Sequence, residues 1–174
     1  MILMDRKVII LSGLSGSGKS TYASALGGVV CSADDFFVND DGSYVFNPTK
    51  LQDAHAYCFR FFLEALQGTN ETIVVDNTNT RVEEISPYVL ASHAFGIEPK
   101  IITVIPWQFA PTAACLQSRN PFMERNFAMS EDQLIAFLSN RNSHGVSTYG
   151  ISRQLNNITK RLLPVWWNHE FVIV

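Results

Sequence analysis

A glycine-rich stretch at residues 13–21 carries the residues with the clearest chemistry in this sequence. It reads Gly-Leu-Ser-Gly-Ser-Gly-Lys-Ser-Thr and matches the pattern G-x-x-x-x-G-K-[ST]. In this pattern backbone N–H groups point at phosphate oxygens, the lysine reaches the β- and γ-phosphates, and the next hydroxyl binds Mg²⁺. The stretch therefore predicts a site for ATP or another NTP. Its candidate ligand-binding residues are Gly13, Ser15, Gly16, Ser17, Gly18, Lys19, Ser20 and Thr21.

The residues around this stretch favour a phosphate-binding loop. Residues 8–11 are an unbroken apolar run, typical of a buried strand in a parallel sheet, and a helix is expected to begin near Lys19. The positive end of that helix would face the phosphates. The alternative is a glycine- and serine-rich turn without a ligand, which would not need the strand, the lysine and the helix together.

Carboxylates follow two further apolar runs. Asp34 and Asp35 come just after the run at 29–32, and Asp76 comes directly after the run at 72–75. Open α/β sheets bind ligands at the carboxyl ends of their strands, so these side chains are expected near the loop. One carboxylate there could accept the proton of an attacking hydroxyl, and Asp76 could hold Mg²⁺ through its water ligands. The alternatives are a helix cap for Asp34 or Asp35 and a turn for Asp76.

Strand and helix patterns alternate along the chain. This order predicts an α/β fold with a mainly parallel five-stranded sheet flanked by helices. The candidate strands are residues 7–11, 29–31, 72–75, 101–105 and 171–174. The candidate helices are residues 48–67, 82–93, 111–118, 131–139 and 151–163, with Pro87 expected either to kink the second helix or to mark its start.

Length and composition limit the classes of function. The 174 residues predict one domain over 1–174, and the net charge of −3 excludes a uniformly basic nucleic-acid binder. No apolar run approaches a membrane span, so we expect a cytoplasmic protein without a membrane partner. Three widely spaced cysteines predict neither a zinc site nor a disulfide framework.

The charges are unevenly divided. Residues 1–110 hold 7 basic and 12 acidic side chains, net −5, and residues 111–174 hold 6 and 4, net +2. This division predicts an acidic floor, where the carboxylates work beside Mg²⁺, under a more basic lid. The oligomeric state is left open by the sequence.

The ordered motifs resemble the polynucleotide kinase-type P-loop kinases, which include phage polynucleotide 5′-hydroxyl kinase and the kinase domains related to the Nedd4-binding proteins. The resemblance covers roughly residues 7–138. It rests on residues 13–21, 32–37, 41–48 with the following Leu51, Ala54 and His55, 76–79 and 119–120. It implies a P-loop NTPase kinase fold with a helical lid at about residues 119–147, and ATP with Mg²⁺ as donor.

The resemblance also implies roles for particular residues. Asp34 matches the general base that activates the acceptor hydroxyl, and Arg119 matches a lid arginine that contacts the transferred phosphate. Arg125 is a further lid candidate, although its spacing differs from that of the phage enzymes. The acceptor is expected to be the 5′-hydroxyl end of a nucleic acid or a nucleotide. Candidate acceptor-binding residues are Asp35, Phe36, Phe37, Asn77 and Asn79.

Two departures from the family pattern keep alternatives open. Phe36 and Phe37 stand where phage kinases place an arginine for the nucleic-acid phosphate. The rings could stack on a base or pack in the core, and a hydroxymethyl group on a modified DNA base or a small nucleoside-like alcohol becomes an alternative acceptor. Residues 141–147 repeat the Arg-Asn signal, but the position of Arg119 favours the first copy as the lid. Residues 141–147 are then either a second active-site loop or a solvated turn. His144 is expected to cap or bond locally. The alternative from a different class of function is a nucleotide-binding module without catalytic activity.

Overall fold

A parallel sheet forms the centre of the computed structural model, which describes residues 6–109, 120, 122–125 and 127–174. Within these residues five strands pair in the order β2-β3-β1-β4-β5, and every pairing is parallel. The strands are β1 (Lys7–Ser12), β2 (Val29–Cys31), β3 (Thr72–Asp76), β4 (Lys100–Ile105) and β5 (Asn168–Ile173). The α/β fold predicted from the alternating patterns is confirmed. β5 begins three residues before the predicted 171.

Helices cover both faces of the sheet. They are α1 (Lys19–Leu26), α2 (Leu51–Gln67), α3 (Val82–Ala94), α4 (Glu131–Arg141) and α5 (Thr148–Lys160), with short 3-10 turns at Asp34–Phe37 and Pro48–Lys50. The predicted helix at 111–118 lies outside the described residues. No described helix combines the length and the apolarity needed to cross a membrane.

Capping explains where two of the helices begin. α5 begins at Thr148 rather than at 151 because the Ser147 side chain accepts a hydrogen bond from Gly150 N–H. α3 begins at Val82 rather than at Pro87, which lies inside the helix. The Glu84 carboxylate accepts the Arg81 N–H at 3.1 Å and caps the helix at this earlier start. Local side-chain bonds therefore set both starts.

Three apolar clusters hold the layers together. β1 sends Val8 and Ile10 into a cluster with α2 and α3, and Ile9 and Leu11 into a second cluster with α1. Because successive side chains of a strand point to opposite faces, this alternation places the helices on both sides of the sheet. The third cluster joins Leu14 of the glycine-rich loop to the buried faces of α4 and α5.

The cysteines within the described residues are part of the packing. Cys31 and Cys58 are both free and buried, and burial raises the pKa of the Cys31 thiol to about 12. Cys115 lies outside the described residues.

Beneath the glycine-rich loop, a buried arginine braces the carboxyl ends of the strands. The Arg161 guanidinium is 5% exposed and donates to the Ser12 hydroxyl, to the Asn79 carbonyl at 2.7 Å and to the Thr103 hydroxyl at 3.0 Å. Burial lowers the pKa of Arg161 to about 10. This brace joins β1, the turn after β3 and β4 at the point where the loop begins.

We expect Arg161→Met to lower the free energy of unfolding by about 2–3 kcal/mol, because buried oxygen acceptors lose their donors. The measurement is urea unfolding followed by circular dichroism. Arg153→Met is the matched control, because Arg153 is exposed on α5 and its loss should change stability by no more than about 0.5 kcal/mol. Equal unfolding midpoints for the two variants would show that the brace contributes nothing.

Candidate functional site

The glycine-rich loop leaves β1 and enters α1 with its backbone in conformations that favour glycine. Gly13, Gly16 and Gly18 have φ angles of 147°, 75° and 97°. Gly13 N–H donates to the Thr78 carbonyl at 2.9 Å, which ties the start of the loop to the turn after β3. Gly18 is the N-cap of α1, so the loop delivers the positive end of that helix into the site.

A cavity of about 170 Å³ opens on this loop. Its lining comes from four parts of the chain: loop residues between 15 and 21, Asp34, residues 76–78 and residues 141–144. The loop and both predicted carboxylates, Asp34 and Asp76, therefore meet at the carboxyl edge of the sheet. A triphosphate bound by the loop would face acidic side chains from two other strands.

Lys19 is the main cationic group of the cavity floor. Its ammonium is buried and donates to the Leu14 carbonyl at 2.7 Å. Burial lowers the pKa of Lys19 to about 8, while the negative charges of Asp76 and Asp34 oppose that shift. A bound polyphosphate would supply the countercharge that this desolvated ammonium lacks.

Asp34 begins the 3-10 turn after β2, and its carboxylate is contacted on both oxygens. Oδ1 accepts the Tyr44 hydroxyl at 3.0 Å, and Oδ2 lies 3.5 Å from His144 Nε2. Asp34 N–H donates to the Ser32 hydroxyl, which fixes the turn on the end of β2. Partial burial, together with the charges of Asp34 and Asp76, raises the pKa of the neighbouring Asp35.

Asp76 and Ser20 present oxygen ligands suited to Mg²⁺. Both line the cavity, and Asp76 is 8% exposed at the end of β3. In the described ranges no three or more His, Cys, Asp or Glu side chains form a metal cage. Mg²⁺ typically uses one or two protein oxygens, substrate phosphates and water, so this donor set fits that ion.

The side chains of Asn77 and Asn79 are engaged within the protein. Asn77 Oδ1 accepts Ala33 N–H at 2.9 Å, which holds the turn that carries Asp34. Asn79 Nδ2 donates to the Leu11 carbonyl at 2.8 Å, from a residue with a φ of 43°. Asn77 also lines the cavity, whereas Asn79 does not, and the contact of either residue with an acceptor stays a prediction.

The two phenylalanines after Asp35 have different surroundings. Phe37 is 5% exposed and packs in the core against Tyr44 and Phe46. Phe36 is 37% exposed, and its ring centroid lies 5.9 Å from that of Tyr57. Of the pair, Phe36 presents the ring that a base could reach, and Tyr57 is its partner on α2.

Of the two arginines predicted for the lid, the structure describes one. Arg119 lies outside the described residues. The neighbouring Asn120 is buried and donates to the carbonyls that end α5, at Ile158, Thr159 and Arg161. Arg125 forms an ion pair with Glu131 at 2.8 Å and binds the Asn156 side chain, so its guanidinium is engaged outside the cavity lining.

The second Arg-Asn segment lies on the cavity. Residues 141–144 begin with the last residue of α4 and line the cavity together with Asp34. The sequence contained this signal, since the Arg-Asn step occurs twice, but spacing from Asp76 favoured the first copy. The packing of α4 on the loop, which no local pattern encodes, brings the second copy to the site.

Contacts between the loop and the last two helices were not predicted. The Gln154 side chain accepts Ser15 N–H at 2.9 Å and donates to the Ser15 hydroxyl at 2.9 Å. Gly16 packs so closely on α4 that an added Cβ would collide with the Leu138 carbonyl. Because Ser15 and Gln154 are 139 positions apart, the spacing of residues along the chain gives no signal for this contact.

We expect Gly16→Ala to abolish tight nucleotide binding, because the new Cβ would push the loop away from Leu138. Gly96→Ala is the matched control, since Gly96 has a similar φ of 71° but open space around its Cβ. Both variants carry the strain of a left-handed residue, about 1–2 kcal/mol, and the collision belongs to Gly16 alone. Titration of each folded variant with a fluorescent ATP analogue measures the difference. Unchanged affinity in Gly16→Ala would contradict the expectation.

The parallel sheet, the loop and the facing carboxylates define a P-loop protein of the kinase type. The chain belongs to the AAA domain family, whose model matches residues 8–144. It is 31% identical over 158 residues to NEDD4-binding protein 2 of Homo sapiens. That alignment covers 86% of this chain and 7% of the relative, so the chain spans a small part of that protein.

Solved kinase-type structures share the fold. A gluconokinase from Sinorhizobium meliloti 1021 superposes with a TM-score of 0.54 at 17% identity, over 98% of this chain and 83% of its own. A chain of the Pnkp1/Rnl/Hen1 RNA repair complex gives 0.53 at 16% identity, over 89% and 45%. The predicted P-loop kinase fold is therefore confirmed.

Proposed function

We propose that this protein transfers the γ-phosphoryl group of ATP to a hydroxyl of a nucleic acid or nucleotide, foremost the 5′-hydroxyl of a polynucleotide. The observation that carries the proposal is the shared cavity of Lys19, on the phosphate-binding loop, and Asp34, on the next strand. A protein that only binds nucleotide needs the loop. A carboxylate facing the expected γ-phosphate is needed for transfer to an alcohol.

The donor side of the site follows from the loop. Backbone N–H groups of the loop and Lys19 hold the β- and γ-phosphates, and Thr21 contacts the α-phosphate. Ser20 and Asp76, the latter through water, hold Mg²⁺, which supplies charge neutralisation on the phosphate oxygens when it is bound. These residues line one cavity.

Asp34 acts as the general base for the acceptor hydroxyl. As the hydroxyl oxygen bonds to the γ-phosphorus, the bond to the β–γ bridging oxygen breaks, and the hydroxyl proton passes to a carboxylate oxygen of Asp34. The bridging oxygen leaves with ADP. Asp34 is suited to this step because it lines the same cavity as the loop but belongs to a different part of the chain.

Arg141 acts as the arginine of the lid. It ends α4 on the cavity wall, and its guanidinium carbon lies 5.3 Å from the centroid of the Phe137 ring, which supports the side chain. Arg119 stays a candidate from the sequence, and Arg125 stays one with its charge already paired to Glu131. We take residues 1–174 as one kinase domain, with the lid of about 119–147 continuing into α5.

A polynucleotide or nucleotide acceptor is supported by the relatives and by the surface beside Asp34. The resemblance to polynucleotide kinase-type enzymes covers most of the chain, and Phe36 and Tyr57 present exposed rings next to the turn of Asp34. The alternative acceptors, a hydroxymethyl group on a modified DNA base or a small nucleoside-like alcohol, gain support from Phe36 in place of a phosphate-binding arginine. A non-catalytic nucleotide-binding module is disfavoured by Asp34.

The experiment is transfer of labelled γ-phosphate to a panel of 5′-hydroxyl DNA, 5′-hydroxyl RNA, hydroxymethyl-base DNA and free nucleosides. Mass spectrometry of the digested product locates the phosphate on the terminal sugar, the base or the small molecule. We expect the terminal sugar, and a loss of about 10²- to 10⁴-fold in kcat for Asp34→Asn with ATP binding retained.

Asp53→Asn is the matched control, because Asp53 is an exposed carboxylate on α2 that pairs with Lys50. Its kcat should equal that of the wild type. Release of phosphate to water alone, or full transfer by Asp34→Asn, would overturn the assignment.

The lid assignment is tested by two glutamine variants. Arg141→Gln should lower kcat by about 10²-fold or more, because the charge that develops on the transferred group loses its partner. Arg125→Gln should lower kcat far less, since that guanidinium already binds Glu131 and Asn156. Steady-state kinetics with saturating acceptor measure both, and Arg153→Gln serves as the surface control. The reverse order of effects would return the role to Arg125.

A further inference from the structure

We propose that His144 and Tyr44 position the carboxylate of Asp34, and that His144 makes this positioning depend on the seating of the lid. The inference rests on the proposed function, in which Asp34 is the base. The sequence motifs give neither residue a role in catalysis. The observation is a cluster of three side chains from three separate segments that meet at the cavity.

Tyr44 supplies a fixed donor. Its hydroxyl donates to Asp34 Oδ1 at 3.0 Å, and its backbone pairs with Val38 in an isolated antiparallel bridge. The adjacent Val45 N–H donates to the Phe37 carbonyl at 2.9 Å, so the segment folds back onto the turn that carries Asp34. Burial and the charge of Asp34 raise the pKa of Tyr44, which keeps the phenol protonated as a donor.

His144 approaches Asp34 from the other side. Its Nε2 lies 3.5 Å from Asp34 Oδ2, and its ring centroid lies 4.7 Å from that of Tyr44. Its Nδ1 is buried and has no hydrogen-bond partner among the described residues. The imidazole therefore has one polar contact, to the proposed base, and one ring contact, to the other residue that holds that base.

The turn that carries His144 is built by Asn142. The Asn142 side chain accepts Val146 N–H at 2.6 Å and donates to the carbonyls of Ser139 at 2.6 Å and Val146 at 3.1 Å. These bonds lock the turn to the end of α4, whose Leu138 carbonyl packs on Gly16. His144 thus reaches Asp34 only while α4 is seated on the phosphate-binding loop.

The chemistry explains why the base needs two partners. Asp34 stands beside Asp35 and Asp76, and a bound triphosphate adds further negative charge on the loop side. Lys19 and Arg141 are the cationic side chains of the described cavity lining, and both are expected to face the phosphates. Tyr44 and His144, which are not expected to face the phosphates, contact the two oxygens of the Asp34 carboxylate. These contacts fix the plane of the carboxylate and leave a lone pair for the acceptor proton. Their removal should therefore affect transfer rather than ATP binding.

The experiment compares His144→Ala, His144→Gln and Tyr44→Phe in the full chain. We expect His144→Ala and Tyr44→Phe each to lower kcat about ten- to a hundred-fold, with the KM for ATP changed less than about three-fold. His144→Gln keeps an N–H donor at the distance of Nε2 and should recover most of the lost kcat. His93→Ala is the matched control, because His93 is exposed on α3 and pairs with Glu98.

A double-mutant cycle with Asp34→Asn tests whether His144 acts through the base. When Asp34 is replaced, loss of His144 should lower the residual rate by less than about two-fold. A readout independent of activity is the ¹⁵N signal of His144 Nε2 in NMR spectra, which should move in Asp34→Asn and not in Asp53→Asn.

The outcomes separate the inference from the proposed function. If the wild type transfers phosphate but His144→Ala keeps the wild-type kcat, the inference fails and the kinase assignment stands. The same conclusion follows if the Nε2 signal of His144 does not change in Asp34→Asn. If His144→Ala loses the same factor with and without Asp34, its role is structural and the inference also fails. If the wild type phosphorylates no acceptor in the panel, the proposed function fails and the inference fails with it.

Discussion

A phosphate-binding loop must leave some of its N–H groups free for the ligand, so much of its shape has to be imposed by the residues around it. A helix or strand would hold this backbone by using those same donors. Here Gly13 N–H is anchored to the Thr78 carbonyl, and the Leu14 side chain is fully buried in the cluster with α4 and α5. Gly16 fits against the Leu138 carbonyl because it has no Cβ.

This constraint explains why distant parts of the chain belong to the site. α4 and α5 both contact the loop, and the first residues of the turn between them line the cavity. Residues 141–144 reach the site as a consequence of that packing. The Arg161 brace plays the matching role from below, since it ties Ser12 to the turn after β3. The contacts that support the loop thus also place residues 141–144 at the cavity.

Local patterns were sufficient for the features that depend on neighbouring residues. The strand ends and the carboxylates after them could be predicted, because apolar runs mark buried parallel strands and ligands collect at their carboxyl edge. The positions of Phe37 and Arg125 could not be predicted. Phe37 packs in the core against the rings of Tyr44 and Phe46. Arg125 binds the side chains of Glu131 and Asn156. Neither pairing is visible before the tertiary fold exists.

The division of charge along the sequence does not by itself show which charged side chains lie at the cavity. Two of the basic residues of the C-terminal part do not face the ligand: Arg161 is buried below the loop and Arg125 is paired with Glu131. In the described cavity lining Lys19 and Arg141 stand with Asp34 and Asp76, a nearly balanced set. A site of this balance can hold a triphosphate with its metal ion, but it offers little spare positive charge for backbone phosphates of an acceptor. For the proposed kinase, this balance favours an acceptor recognised by its hydroxyl and by a base ring against Phe36.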